Sequence, residues 1–225
     1  MTPPAARPDL FISADVETDG PVPGPFSMLS FGLSLAGTYD GNLFLRAAQD
    51  QNSVFYRELR PISDNFDPEA LEVNRLNRDE LSRTGADPSE AMSAAARWVA
   101  EVGEGFRPVL VAYPVAFDWS FLYWYFEQFA DRPSPFGHSS CLDIRTLYQA
   151  IAGSVFDQSG KSSMPDFVLP SRAHTHNALD DALEQGELFA NLFEFARARR
   201  NALVHNVPQP DSTPSWIKRR MVPLS

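Results

Sequence analysis

Between Leu10 and Leu59 the apolar residues recur at the period of strands, and beyond Asp87 they recur mainly at the period of helices. Leu10–Val16 reads as a strand, and the turn-rich Asp19-Gly20-Pro21-Val22-Pro23-Gly24-Pro25 separates it from a second, Met28–Leu35. Leu43–Leu45 and Val54–Leu59 are the third and fourth, so an antiparallel meander is expected over the first 60 residues. Asp87-Pro88-Ser89-Glu90 then supplies an N-cap, a proline at the first helical position and an acid at the third. They open a helix through Ala91, Ala95, Trp98 and Val102. A short buried strand at Val109–Ala112 follows, then helices at Trp119–Phe129, Ile144–Ile151 and Ala178–Arg199. Strands first and alternation afterwards imply an α/β domain, a mixed sheet flanked by helices, over residues 1–205. The last stretch, 206–225, carries Pro208, Pro210, Pro214 and Pro223 around Lys218-Arg219-Arg220 and reads as an extended or docked tail.

The charge balance narrows the functions open to such a domain. With 19 Lys+Arg against 29 Asp+Glu the net charge is -10, which disfavours a protein that grips long duplex nucleic acid by general electrostatics. It suits an enzyme whose carboxylates are neutralised by cations. The single cysteine, Cys141, rules out an intramolecular disulfide framework and a Cys-rich zinc module; it reads as a small apolar residue in a reducing, cytoplasmic setting. No run approaches the ~18 apolar residues of a membrane span.

Three groups of residues carry chemistry. Asp15 and Glu17 end the first strand two residues apart, so both carboxylates share one face of the sheet. Chance supplies about one Asp-x-Glu in a chain of this composition, and a second, Asp67-Pro68-Glu69, reads as a helix cap. The first pair alone fits metal binding and a solvated strand end equally. His176-Asn177-Ala178-Leu179-Asp180-Asp181 is more specific, since chance predicts roughly 0.03 occurrences of His-x-Ala-x-x-Asp. With Ala178 at zero and about 100° per residue, Asp180 falls with Glu184, Glu187, Asn191 and Glu194 on a solvated stripe. Asp181 falls between Leu188 and Leu192 on the apolar arc. An acid there needs a partner or a cation, because burying it alone costs several kcal/mol. His176, five residues earlier, belongs to the loop entering the helix. The third group is Asp118, where an apolar strand runs through Tyr113-Pro114 into a helix start; taken alone, it reads as an N-cap.

Together these residues resemble the DEDDh family of 3'-to-5' exonucleases, the DnaQ-like group that includes proofreading subunits, RNase T and oligoribonuclease. The resemblance spans roughly Asp9 to Arg197. It rests on Asp15, Glu17 and Thr18; on Phe117-Asp118 with Phe121-Leu122 behind; and on His176, Ala178 and Asp181. Asn177 stands where the tyrosine subtype has Tyr, which favours the histidine subtype, and Pro114 stands where the second motif usually has Asn.

The resemblance implies an RNase H-like mixed sheet flanked by helices and a site for two Mg²⁺ or Mn²⁺ ions held by Asp15, Glu17, Asp118 and Asp181. Asp15 would bridge the ions, Glu17 and Asp181 would bind the one carrying the nucleophile, and Asp118 would act through water. His176 would be the general base and would also touch substrate, joined there by Thr18, Met28, Phe117 and Phe121. Among Trp119, Trp124 and Tyr125 most must be core, and Leu29 shares the choice between wedge and core with Met28. Lys161, Arg172 and His174 could meet phosphates or lie in a solvated loop, while Asp143 reads as a cap of the next helix. The substrate would be a single-stranded 3' end, RNA slightly ahead of DNA, and the product a 5'-mononucleotide; a homodimer is common among such proteins. Two rivals are a non-catalytic nucleic-acid-binding module of the same fold and an interaction domain whose acids serve solubility. No metal acid is missing, which speaks against the first, and the place of Asp181 on the apolar arc speaks against the second.

Overall fold

A computed structural model describes residues 7–205 apart from Gln49. The expected tail, 206–225, lies outside the described residues. Six strands, β1 (Asp9–Thr18), β2 (Met28–Tyr39), β3 (Phe44–Arg46), β4 (Val54–Glu58), β5 (Arg107–Ala112) and β6 (Cys141–Asp143), form one sheet. Around it lie α1 (Pro68–Asn74), α2 (Arg78–Thr84), α3 (Pro88–Val102), α4 (Val115–Phe129), α5 (Ile144–Ala152) and α6 (Ala178–His205). Among the described residues no helix is long and apolar enough to cross a membrane.

The sheet is mixed, with order β3-β2-β1-β5-β6. β1 is antiparallel to β2 and parallel to β5, which is parallel to β6. The opening strands are not a simple meander. β2 is long enough to pair with β3 through Gly37–Tyr39 and with β4 through Ser30–Ser34, so the two short strands share its outer edge. Asp50 accepts the N–H groups of Asn52 and Ser53, and this capped turn returns the chain to β2.

Alternation along β1 divides the core. Leu10, Ile12, Ala14 and Val16 pack with residues of α3 and α4, including Met92, Val99, Phe121 and Tyr125. Phe11 faces the other way, into a cluster with Phe44, Leu188, Phe189 and Leu192 of β3 and α6. The odd-numbered residues of β1 therefore look at α6, and this places Asp15 and Glu17 beneath its first turns. Asp87 caps α3 through Ser89 N–H, and Asp67 caps α1 through Glu69 N–H, as their sequence contexts suggest. α2, with Asn77 as its cap, and the three-residue β6 were not anticipated.

Candidate active site

The β1–β5 pairing stops at Ser13 opposite Val111, while β1 runs on to Thr18. That leaves one side of its last residues open, and α4 begins there. Asp118 lies in the first turn of α4, 4% exposed, and its Oδ1 accepts the Val16 N–H at 3.0 Å. It is not the N-cap that its isolated sequence context suggested. The cap position is Pro114, and the first helical N–H, of Val115, donates to Asp143 Oδ2 at 2.8 Å. Asp143 also caps α5 by accepting Thr146 N–H, so one carboxylate ties two helix starts together.

On β2, the residue opposite Asp15 is Gly32. A Cβ there would come within 2.3 Å of the Ala178 carbonyl oxygen, so only glycine lets α6 begin directly over the sheet. This close approach delivers Asp181, fully buried, to the paired acids of β1. Asp15, Glu17 and Asp181 each offer a carboxylate oxygen within 4.8 Å of the other two. Thr175 and His176 donate their N–H groups to the two Asp181 oxygens, each at 2.8 Å, and His174 Nδ1 lies 3.2 Å from Oδ2. His176 adopts a left-handed backbone (φ 59°) in the loop before α6, its side chain exposed and its ring edge-on to His174 with centroids 4.5 Å apart. Asp180 is exposed, on the face where the wheel puts it.

The cluster is electrostatically unfinished. Burial, reinforced by the neighbouring acids Asp118, Glu17 and Asp181, holds the Asp15 carboxyl well above the usual carboxylate range. Burial and the charges of Asp181 and Asp118 push Glu17 to about 8, and burial pushes Asp118 to about 7 against the opposing Val16 hydrogen bond. Among the described residues no Lys or Arg pairs with any of these four acids. Hard oxygen donors, crowded and without cationic side chains, are the donor set that Mg²⁺ or Mn²⁺ requires. The residues present therefore fit a divalent-cation site.

One residue of the site escaped the sequence reading. Gln185 is 2% exposed; its Oε1 accepts the Tyr113 N–H at 2.7 Å and its Nε2 donates to Asp15 Oδ1 at 2.6 Å. The backbone N–H can only donate, so it fixes which end of the amide faces Asp15. The signal was available, since Gln185 falls near 340° on the same wheel, on the apolar arc with Asp181. Glu184 errs the other way. The wheel puts it on the solvated stripe, yet it is 2% exposed because the loop after α5 covers it, and Lys161 Nζ pairs with it at 2.6 Å. Lys161 is thereby engaged, whereas Arg172 and His174 remain exposed.

Of the residues expected to touch substrate, Phe117 keeps an accessible ring, 38% exposed. Met28, Leu29, Phe121 and Tyr125 are fully buried, so all four side chains are core. The Met28 N–H donates to Tyr125 Oη, which fixes both against the core. Thr18 is 6% exposed and its hydroxyl donates to the Gly20 carbonyl. Burial pushes the half-buried Cys141 thiol up, consistent with an inert residue.

A helix-flanked mixed sheet with four acids gathered at the end of its first strand defines an RNase H-like nuclease of the DnaQ-like type. No family model matches the chain. It is 35% identical over 182 residues to the 3'-5' DNA exonuclease Cap18 of Escherichia coli, covering 80% of this chain and 90% of that protein. The chain belongs to the DEDDh family of 3'-5' exonucleases. In fold it resembles the nuclease domain of 3'hExo, a DEDDh family member solved with rAMP, with a TM-score of 0.58 and 15% identity over 85% of this chain and 94% of that one. It also resembles cell-death related nuclease 4, with a TM-score of 0.59 and 13% identity over 83% of this chain; the match spans 64% of that nuclease's length.

Proposed function

We propose that the protein hydrolyses the terminal phosphodiester bond of single-stranded DNA from a free 3' end, releasing 5'-mononucleotides. The observation that carries this reading is the meeting of Asp15, Glu17 and Asp181 oxygens within 4.8 Å, with Asp118 accepting the N–H of Val16 between the two acids of β1. DNA is placed ahead of RNA, reversing the slight lean of the sequence, because the 35% identical relative is named a DNA exonuclease. Single strands suit an acidic chain of net charge -10 better than long duplexes.

In this reading Asp15, Glu17, Asp118 and Asp181 would hold two Mg²⁺ or Mn²⁺ ions. When bound, such ions supply Lewis-acid activation of water and charge neutralisation at the scissile phosphate. Gln185 keeps one oxygen of Asp15 engaged and so orients the other. His176, exposed beside the cluster, would take the proton of the attacking water. His174 is the alternative base, favoured by its Nδ1 contact with Asp181 at 3.2 Å. Phe117 offers a ring face to a terminal base. Residues 1–205 act as one exonuclease domain in this account, and a cytoplasmic homodimer is its setting.

The test is a Mn²⁺ and Mg²⁺ time course on matched 5'-labelled single-stranded DNA and RNA, run beside Asp15→Ala. A ladder that shortens from the 3' end in wild type alone, faster on DNA, is expected. Faster cleavage of RNA would reverse the substrate assignment, and binding of both strands without cleavage would favour the non-catalytic module. His176→Ala should lower turnover by on the order of 10² to 10⁴, with His174→Ala costing less than tenfold. The opposite order would transfer the proton to His174.

A further inference from the structure

The helix starts tied by Asp143 carry a second feature beside the acids. Arg145 follows Asp143 by two residues in the first turn of α5, and Phe117 and Asp118 lie in the first turn of α4, whose Val115 N–H the same Asp143 accepts. Two strand spacings separate β1 from β6, so Arg145 lies ~10 Å or more to one side of the acidic cluster.

Arg145 is built in. Its Nε donates to Ser159 Oγ at 3.0 Å, one Nη donates to the Phe156 carbonyl at 2.9 Å, and its guanidinium lies 3.8 Å above the Phe156 ring. Ser159 is fully buried, and its own hydroxyl donates to the Phe156 carbonyl at 2.6 Å, so the loop bearing Phe156 is fastened to the arginine. Yet among the described residues no carboxylate pairs with Arg145, although acids outnumber bases 29 to 19 in this chain. The nearby Lys161 is paired with Glu184, and Asp143 is occupied by two backbone N–H groups. Phe156 meanwhile is 55% exposed, one face under the guanidinium and much of the ring open to solvent.

A rigid, unneutralised guanidinium stacked on an open aromatic ring offers a charge for a phosphate and a surface for a base. We infer that Arg145 and Phe156 form a subsite for a nucleotide upstream of the scissile bond, the guanidinium taking a backbone phosphate and the Phe156 ring stacking a base. The inference rests on the exonuclease reading for the identity of the strand. At ~10 Å or more from the acids, about three steps of a stacked strand at ~3.4 Å per nucleotide, the subsite favours an oligonucleotide of several residues over a dinucleotide.

The experiment compares wild type, Phe156→Ala and Arg145→Gln on a 5'-labelled DNA dinucleotide and hexanucleotide in Mn²⁺. It also measures binding of the hexanucleotide by anisotropy in EDTA. Phe156→Ala should raise the hexanucleotide KM and Kd about tenfold, within the ~5- to 150-fold range expected for one base stack. The dinucleotide kcat/KM should stay within twofold. Arg145→Gln should flatten the dependence of log Kd on log salt by about 0.7, the contribution of one single-strand phosphate. Phe156→Leu, which keeps an apolar side chain beneath the guanidinium but no ring, separates stacking from loop integrity and should weaken the hexanucleotide as Phe156→Ala does. Equal losses on both lengths, or none on either, would overturn the subsite. Wild type that binds the hexanucleotide without cutting it would sink the exonuclease reading and leave the Kd comparison to decide the subsite.

Discussion

Glu17 carries a carboxyl pushed to about 8 from an ordinary 4.5 by burial and by Asp181 and Asp118. A carboxyl whose folded pKa lies above its unfolded one makes folding take up a proton between the two values. Its stabilisation is complete below about 4.5 and is lost as the pH rises through about 8. The metal-free protein should therefore melt at falling temperatures from pH 5 to pH 8. At pH 8 in EDTA, Glu17→Gln should melt higher than wild type, by roughly 2–4 °C for each kcal/mol of relieved repulsion. Thermal melts in EDTA check this; a Glu17→Gln protein melting lower at pH 8 would refute it. Gln185→Met keeps volume but removes both hydrogen bonds, and such support of a ligand is typically worth 10- to 100-fold in metal affinity. Calorimetric titration with Mn²⁺ should show that loss, and an unchanged Kd would reduce Gln185 to a packing role. The helical wheel separates Asp181 from Asp180 because a regular helix carries its own angular information. It fails at Glu184, whose burial comes from a loop that no local pattern encodes.

The principal strands and long helices were legible because each is long and bounded by turn or cap residues. α4 was placed four residues late, at Trp119 rather than Val115. Its first N–H is satisfied by Asp143, 28 residues away, so no local cap marks its beginning. β6 has only three residues, and its identity as a strand depends on pairing with β5. The seating of α6 depends on Gly32, which nothing in the sequence singles out, because the reason for a glycine there is the Ala178 carbonyl above it. Gly32→Ala should displace the start of α6 and cost about 1–3 kcal/mol, a fall of roughly 2–12 °C in Tm. A displacement of 1 Å at the ligands can cost about 10²-fold in rate, so activity should suffer far more than folding. Retention of wild-type turnover in this variant would show that α6 is not seated by that contact.

At the scale of the molecule, a chain of net charge -10 gathers four acids at one end of its central strand. A cation bound there should stabilise the fold by RT ln(1 + [L]/Kd), about 2.7 kcal/mol at a hundredfold excess over Kd. Mn²⁺ should accordingly raise Tm by roughly 5–11 °C, and Asp181→Ala should abolish the shift while keeping a cooperative melt. No Mn²⁺ shift in wild type would remove the metal site. The fold class and the acids were legible because motif order and spacing survive without tertiary information; the bonds that brace them from afar, as Gln185 braces Asp15, were not. Asp15 and Asp181 stand 166 residues apart, on the first and the last of the described elements. A ribosome delivers the chain from its N-terminus, so β1 through α5 emerge while the helix carrying Asp181 and Gln185 is still unmade. Until then the sheet face of Phe11, Val109 and Val111 lacks the cover of Leu188, Phe189 and Leu192. A polypeptide that stops short of α6 therefore lacks Asp181 and Gln185, two of the groups gathered around Asp15.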